Sequence, residues 1–140
     1  MYKIVALFGE AGTGKDFMLN KVLAARPDWH KIISCTTRPK RQGEQHGVNY
    51  FYHTMDEFKE KINNAYNNHK YLKSRYPSAQ VVKQIREEYD VYNKVGAIDF
   101  MLLETYLREW ERENDIQCGY GRGSVSGSLI AYVLGITQMD

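Results

Sequence analysis

The first apolar run, Lys3 to Phe8 (KIVALF), is short, rich in branched residues and ends at Gly9, which predicts a buried strand. Behind it Met18, Leu19, Val22 and Leu23 recur at helical spacing between Lys15 and Arg26, and Pro27 stops the run, so a helix is predicted there. KIISC (31–35) and YFYH (50–53) predict a second and a third strand, separated by the polar, basic segment TTRPKRQGEQHGVN. Thr54 and Glu57 form a capping box for a helix over MDEFKEKI, with Phe58 and Ile62 on one face. The texture then changes: NNAYNNHKY (63–71) carries four asparagines and no aliphatic side chain larger than alanine. Beyond it, Ser78 predicts the cap of a helix striped by Val81, Val82, Ile85, Tyr89, Tyr92 and Val95 and stopped by Gly96. A further helix over 98–113 sets Leu103, Tyr106, Leu107 and Trp110 on one side, with Glu104, Arg108, Glu109, Arg112 and Glu113 on the others. Both stripes read as packing faces and the charges as a solvated surface. DIQCGY (115–120) reads as a weak strand, and Ser124–Leu134 as a last helix entered through a glycine-rich loop. Strand, loop, helix and strand in that order predict α/β construction.

The totals narrow this picture. A length of 140 residues suits one ordinary domain and would crowd two complete catalytic ones. No apolar run approaches bilayer-spanning length, and the N-terminal MYKIVALFGEAG flows into a glycine loop instead of a cleavage site. The expectation is a soluble, cytoplasmic chain with no membrane partner. Cys35 and Cys118 lie in different halves with no CxxC, and His30, His46, His53 and His69 make no ligand pattern, so free thiols and no structural metal are expected. The net charge of +2 is uneven: residues 1–62 hold ten Lys and Arg against seven Asp and Glu, residues 63–140 nine against ten. A faintly acidic second half predicts weak contact with DNA at most.

Between the first strand and first helix lies Gly9-Glu-Ala-Gly12-Thr13-Gly14-Lys15, with GxxxxGK spacing. Glycines let backbone N–H groups turn inward around a phosphate, and a lysine at that place reaches the outer phosphates of ATP. Gly9, Gly12, Thr13, Gly14, Lys15 and Asp16 are therefore the candidate ATP-phosphate residues. Asp16 stands where Ser or Thr normally ligates magnesium, which makes it the candidate ligand for magnesium carried with ATP.

The following segment, SCTTRPKRQGEQHGVNYFY, resembles the GMP-phosphate loop of guanylate kinases. The resemblance covers residues 1 to about 62 and implies that Ser34, Arg38, Arg41, Glu44 and Tyr50 bind a nucleoside monophosphate, with Lys15, Arg38 and Arg41 as the catalytic residues. Guanidinium forks and a tyrosine hydroxyl suit a phosphate on physical grounds as well. The Asp16 variant is similar to the loop of some phage deoxynucleoside-monophosphate kinases, which leaves the base preference open. Acidic residues that read guanine, a lid and the remaining sheet strands of the family are not recognisable here.

The C-terminal stretch CGYGRGSVSGSLIAYVLGITQMD gathers five of the eleven glycines. With the helix pair before it, it resembles the palm region of the bacterial DNA polymerase III alpha subunit, from about Tyr71 onward. The resemblance implies that Arg122, Gly123 and Ser124 hold the triphosphate of a dNTP, and Tyr120 stands where the family usually has proline. The paired catalytic aspartates of such palms come after this segment, so no polymerisation is expected.

The fold class implied is α/β: a partial P-loop kinase with a parallel sheet and helices, then a mostly helical polymerase-palm fragment. The expected organisation is 1–62 kinase-like, 63–70 an Asn-rich seam, and 71–140 palm-like. Three functions follow: nucleotide phosphate binding with ATP-dependent phosphorylation of GMP or a related monophosphate; dNTP binding without polymerisation; or a recombined or misassembled product with no selected role.

Overall fold

The computed structural model describes residues 5–10, 12–117, 119 and 123–138, and the chain divides into two compact units, Met1–Ile32 and Ile33–Asp140.

The first unit is one helix behind a glycine loop. Helix α1 (Lys15–Ala25) starts at Gly14, whose φ of 77° is in the left-handed region, and none of its residues is buried. Arg26 turns the chain with a paired Asp28, its Nη2 lying 2.7 Å from the carboxylate. The expected first strand does not form over its described part: Val5, Leu7 and Phe8 are irregular and exposed, Phe8 at 90%. A strand is ordered by its neighbours, because its N–H and C=O groups bond only across a ladder. The described residues of this unit contain no second strand.

The second unit opens with β1 (Cys35–Thr36) and β2 (Phe51–Tyr52), a parallel pair in register Cys35 to Phe51 and Thr36 to Tyr52. Both are shorter than expected, two residues each. Phe51 N donates to Ser34 O at 2.8 Å and His53 N to Thr36 O at 2.9 Å. The crossover between them, residues 37–50, contains no helix and folds on itself through Gly43 and Gly47, with φ of 85° and 77°.

Helices supply the rest: α2 (Met55–Asn68), α3 (Lys70–Arg75), α4 (Ser78–Lys94), α5 (Ile98–Glu113) and α6 (Leu129–Val133). The capping box at Thr54 is present in both directions, Glu57 N to Thr54 Oγ1 at 3.1 Å and Thr54 N to Glu57 Oε2 at 2.7 Å. The Asn-rich stretch runs on as helix α2, burying Tyr66 while its asparagines stay exposed. Ser78 does not cap α4: the carbonyl of Pro77 already accepts from Gln80 N and Val81 N, so Pro77 holds the cap position and Ser78 is the first helical residue. Gly96, at φ 69°, does end that helix region.

Helix α5 turns the opposite face inward from the one expected. Ile98, Met101, Leu102 and Thr105 are buried, while Tyr106, Leu107 and Trp110 are exposed, Trp110 at 53%. The helix carries two stripes at helical spacing, and what packs on it selects one. Two polar side chains expected in solvent, Glu104 and Arg108, are buried with it. Residues 115–117 of the expected weak strand are irregular; Cys118 and Tyr120 lie outside the described residues. The expected helix over Ser124–Leu134 divides into a single 3-10 turn at Gly123–Val125 and the short α6. The break falls at Gly127 and Ser128, whose hydroxyl accepts from Ala131 N at 3.1 Å as the cap of α6.

One apolar cluster joins these elements. Phe58 and Ile62 of α2, Val81 and Ile85 of α4, Met101 and Leu102 of α5 and Cys35 of β1 share it with Ile130 and Ala131 of α6. Burial, with the nearby Asp99 carboxylate, pushes the free Cys35 thiol up, which keeps it protonated and unreactive. Asp99 also ties the chain after β1 to α5: it accepts from Thr36 Oγ1 at 3.0 Å, and from Thr37 N and Thr37 Oγ1 at 2.7 Å each. Replacing Asp99 by Ala leaves three partly buried donors without their acceptor and is expected to cost about 1–3 kcal/mol. Urea unfolding should show a lower midpoint with an unchanged slope, and Asp99→Asn, which keeps an acceptor, should lose less.

Candidate functional site

The GxxxxGK loop is wound around its own lysine. Lys15 Nζ donates to Gly9 O at 2.7 Å and to Glu10 O, and lies 3.5 Å from Thr13 Oγ1. Thr13 Oγ1 in turn donates to Glu10 O at 2.8 Å. Gly12 and Gly14 both have φ near 80°, which side-chain-bearing residues rarely adopt. At Gly9, a Cβ would come 2.9 Å from Thr13 Oγ1. The carbonyls of Gly9 and Glu10 and the Thr13 hydroxyl thus converge on the Lys15 ammonium, and Ala11 lies outside the described residues. Asp16 lies exposed in the first turn of α1.

The expected acceptor residues Arg38, Glu44 and Tyr50 come together, all in the second unit. Arg38 and Glu44 form a two-pronged pair, Nη1 to Oε2 at 2.7 Å and Nη2 to Oε1 at 2.6 Å. The backbone N of Arg41 donates to the same Glu44 Oε2 at 2.8 Å, while the Arg41 side chain is exposed. The Arg38 hydrogen bonds, then the Arg41 N–H, hold the Glu44 carboxyl far below the usual carboxylate range, and Glu44 raises Arg38 in return. The guanidinium lies 5.2 Å from the centre of the Tyr50 ring and 5.7 Å from that of Tyr52. Ser34 is placed by the sheet, its carbonyl taken by Phe51 N.

Sequence reading missed two members of this neighbourhood. Tyr52 lies two residues beyond Tyr50 and so shares its side of the extended segment, a signal that alternation carries. Asp99 is more than 60 residues away along the chain, on another helix, and nothing local marks it.

At the second glycine-rich segment, Arg122 lies outside the described residues, and Gly123 and Ser124 are exposed in the 3-10 turn. Both ends of the segment are fastened. Arg108, buried on α5, donates from Nη2 to Gly119 O at 3.2 Å and from Nη1 to Glu111 Oε2 at 3.0 Å. At the other end Glu88 of α4 accepts from Ser128 Oγ (2.7 Å), Leu129 N (3.0 Å) and Ile130 N (3.0 Å), and Tyr92 OH donates to Ser128 Oγ at 2.7 Å. The free N–H groups that open α6 are thus given to a carboxylate of the chain itself. Among the described residues, no group of three or more His, Cys, Asp or Glu could hold a metal ion, and no helix is long and apolar enough to cross a membrane.

Two family models match a chain built in this way. The one described as guanylate kinase matches residues 1–91, and the one described as the bacterial DNA polymerase III alpha NTPase domain matches residues 52–140, the two overlapping over 52–91. Each covers more than half of the chain, which therefore belongs to both families: guanylate kinase at its N-terminal side and DNA polymerase III alpha at its C-terminal side. Among curated proteins, the guanylate kinase of Synechococcus sp. (strain JA-3-3Ab) is 41% identical over 56 residues, 40% of this chain and 26% of that protein. The DNA polymerase III subunit alpha of Pasteurella multocida (strain Pm70) is 39% identical over 77 residues, 49% of this chain and 7% of that protein. The corresponding subunit of Aquifex aeolicus (strain VF5) is 41% identical over 58 residues, 41% of this chain and 5% of that protein. The chain thus spans only a small part of each curated relative, and both family names are those of nucleotide-handling proteins.

The Arg38–Glu44 pair makes stability depend on pH with a definite sign. A carboxyl depressed in the folded state contributes stability that is fully present above its unfolded pKa and is lost as pH falls through the folded one. The stability difference between the natural chain and Glu44→Gln should accordingly be constant from neutral pH down to about 5 and shrink steadily below about 4. Thermal melts of both proteins across that range test it.

Proposed function

We propose that the chain binds nucleotide phosphates and transfers the γ-phosphoryl group of ATP to GMP or a related nucleoside monophosphate. The observation that carries this reading is the Arg38–Glu44–Arg41 arrangement beside Tyr50, a guanidinium held in a fixed orientation by a carboxylate that a phosphate can imitate. An incoming monophosphate would exchange with Glu44 for the Arg38 fork, recruit the exposed Arg41 side chain, and meet the hydroxyls of Ser34 and Tyr50. ATP would take the loop Gly9–Lys15, where Gly12, Thr13 and Gly14 shape the backbone and the ammonium of Lys15 is already held there.

Phosphoryl transfer is chiefly positioning and charge neutralisation, and Lys15, Arg38 and Arg41 would supply positive charge as the bond to ADP breaks and the bond to the acceptor phosphate oxygen forms. The left-handed Gly12 and Gly14 and the lysine beside them support a phosphate in this loop, with Lys15 Nζ released from the carbonyls of Gly9 and Glu10 to meet it. Magnesium bound with ATP would neutralise phosphate oxygens, and Asp16 is the residue that would hold it. We place the join between kinase-like and polymerase-like segments at residues 63–70, leaving 1–62 and 71–140 on either side, and the chain's work in the cytoplasm with weak contact to DNA at most.

A second reading is favoured by the fastening of both ends of the glycine-rich segment by Arg108 and Glu88. In it Arg122, Gly123 and Ser124 hold the triphosphate of a dNTP without polymerisation.

With magnesium and ATP present, ADP release in a coupled assay is expected to depend on added GMP, and Arg41→Ala is expected to lower that dependent rate about 100-fold. A rate indifferent to GMP would sink the kinase reading.

A further inference from the structure

The root of the loop over residues 37–50 is held by a residue far from it in sequence. Asp99, in the first turn of α5, spends both oxygens on the two threonines that precede Arg38. Its Oδ1 accepts from Thr37 N and Thr37 Oγ1, and its Oδ2 from Thr36 Oγ1. Thr36 Oγ1 in turn accepts from Arg38 N at 3.4 Å, so the chain of bonds ends on the backbone from which the guanidinium springs. Thr36 is buried, and all three bonds to Asp99 are partly so. Of the two matched stretches, only that of DNA polymerase III alpha reaches position 99.

Two carboxylates thus fix Arg38, and a ligand would treat them differently. Glu44 grips the guanidinium fork itself, so an anion bound in that fork would displace it. Asp99 holds the backbone behind the fork and has nothing that the anion would take. With Glu44 displaced, the backbone of residues 36–38 would be held by Asp99 and by the sheet bond of His53 N to Thr36 O. A guanidinium on a loose root must be ordered as it binds, and that entropy is subtracted from affinity and from alignment.

We infer that Asp99 is a positioning residue for the monophosphate site: acting through Thr36 and Thr37, it holds Arg38 in place when Glu44 gives way. This rests on the proposed kinase reading for the identity of the ligand alone; the hold on Arg38 stands on its own hydrogen bonds.

The test compares Asp99→Ala and Asp99→Asn with Ile85→Val, a small core truncation on α4 that controls for lost stability alone. The first readout needs no ligand: an NMR titration of the Glu44 carboxyl in the full chain, which the Arg38 fork holds far below the usual carboxylate range. Removing the Asp99 charge would by itself push Glu44 lower, since a like charge is gone, so a rise reports a displaced Arg38. Glu44 should rise toward the ordinary range in Asp99→Ala. It should stay low in Ile85→Val and in Asp99→Asn, whose carboxamide oxygen still accepts from Thr37. The second readout is the coupled assay with magnesium, ATP and GMP. There Asp99→Ala should raise KM for GMP about tenfold with kcat changed less than about threefold, and Asp99→Asn should recover most of the loss. A Glu44 carboxyl that stays low in Asp99→Ala, or that rises equally in Ile85→Val, overturns the proposal. Should Asp99→Ala fail to fold, Thr36→Val decides instead, because it removes the hydroxyl between Asp99 and Arg38 N without changing charge; no rise of Glu44 there overturns the proposal. A rise confined to these variants in a chain that shows no GMP-dependent turnover upholds the hold on Arg38 and removes only the kinase reading.

Discussion

Burial of α6 is the constraint on which the second unit depends. It is only five residues long, too short to be stable alone, yet Ile130 and Ala131 have no exposed surface. Helices α2 and α4 pack against it, and the side chains of α5 and β1 complete the same cluster. A helix of this length leaves a large share of its N–H groups unpaired, and sinking those donors into a core without acceptors would cost more than the apolar contacts gain. Glu88 resolves the conflict by accepting from two of them and from the Ser128 hydroxyl. The half-buried carboxylate is therefore part of the core's construction, with each of its oxygens accepting two hydrogen bonds.

The same packing binds the two family segments into one unit. The loop over residues 37–50 belongs to the stretch similar to guanylate kinase, but the groups that steady its flanks lie on α5, in the stretch matched to DNA polymerase III alpha. Asp99 takes the donors of Thr36 and Thr37, and His53, just after β2, stacks on Tyr106 with ring centres 5.2 Å apart and planes 22° apart. Burial lowers the His53 imidazole's affinity for a proton, against the opposing pull of Glu57, which suits a neutral ring stacked on a phenol. Lys61 of α2 reaches both the Tyr106 ring and Glu109, extending the same seam of contacts. By contrast, the GxxxxGK loop and α1 form a unit whose helix buries nothing, because the sheet on which such a helix would lie has no strands among the described residues of that unit.

Two carboxylates of the second unit gather the donors of separate segments. Glu44 occupies the fork of Arg38, and Glu88 occupies the donors that open α6. The two differ in what they hold. At Arg38 the pair is partly exposed, whereas Glu88 is saturated by four donors and helps to hold a helix that the core requires.

Local features were legible from the sequence wherever the signal is carried by neighbours in the chain. The capping box of Thr54 and Glu57, the stop at Gly96, the helices over 15–25 and 98–113, and the glycine conformations of the GxxxxGK loop all follow from short-range sterics and hydrogen bonding. Both family resemblances were legible too, because they rest on long strings of specific residues. What only the tertiary structure decided were choices among locally equivalent answers. Helix α5 offered two apolar stripes, and the core took the one with Met101 and Leu102; Ser78 and Pro77 could each have opened α4, and the Pro77 carbonyl did. The run Val5–Phe8 has the composition of a strand and no ladder to join. Asp99 and Glu88 became anchors through contacts with residues roughly 40 to 60 positions away, which no local pattern encodes, since a hydrogen bond between distant segments exists only once the core has brought them together.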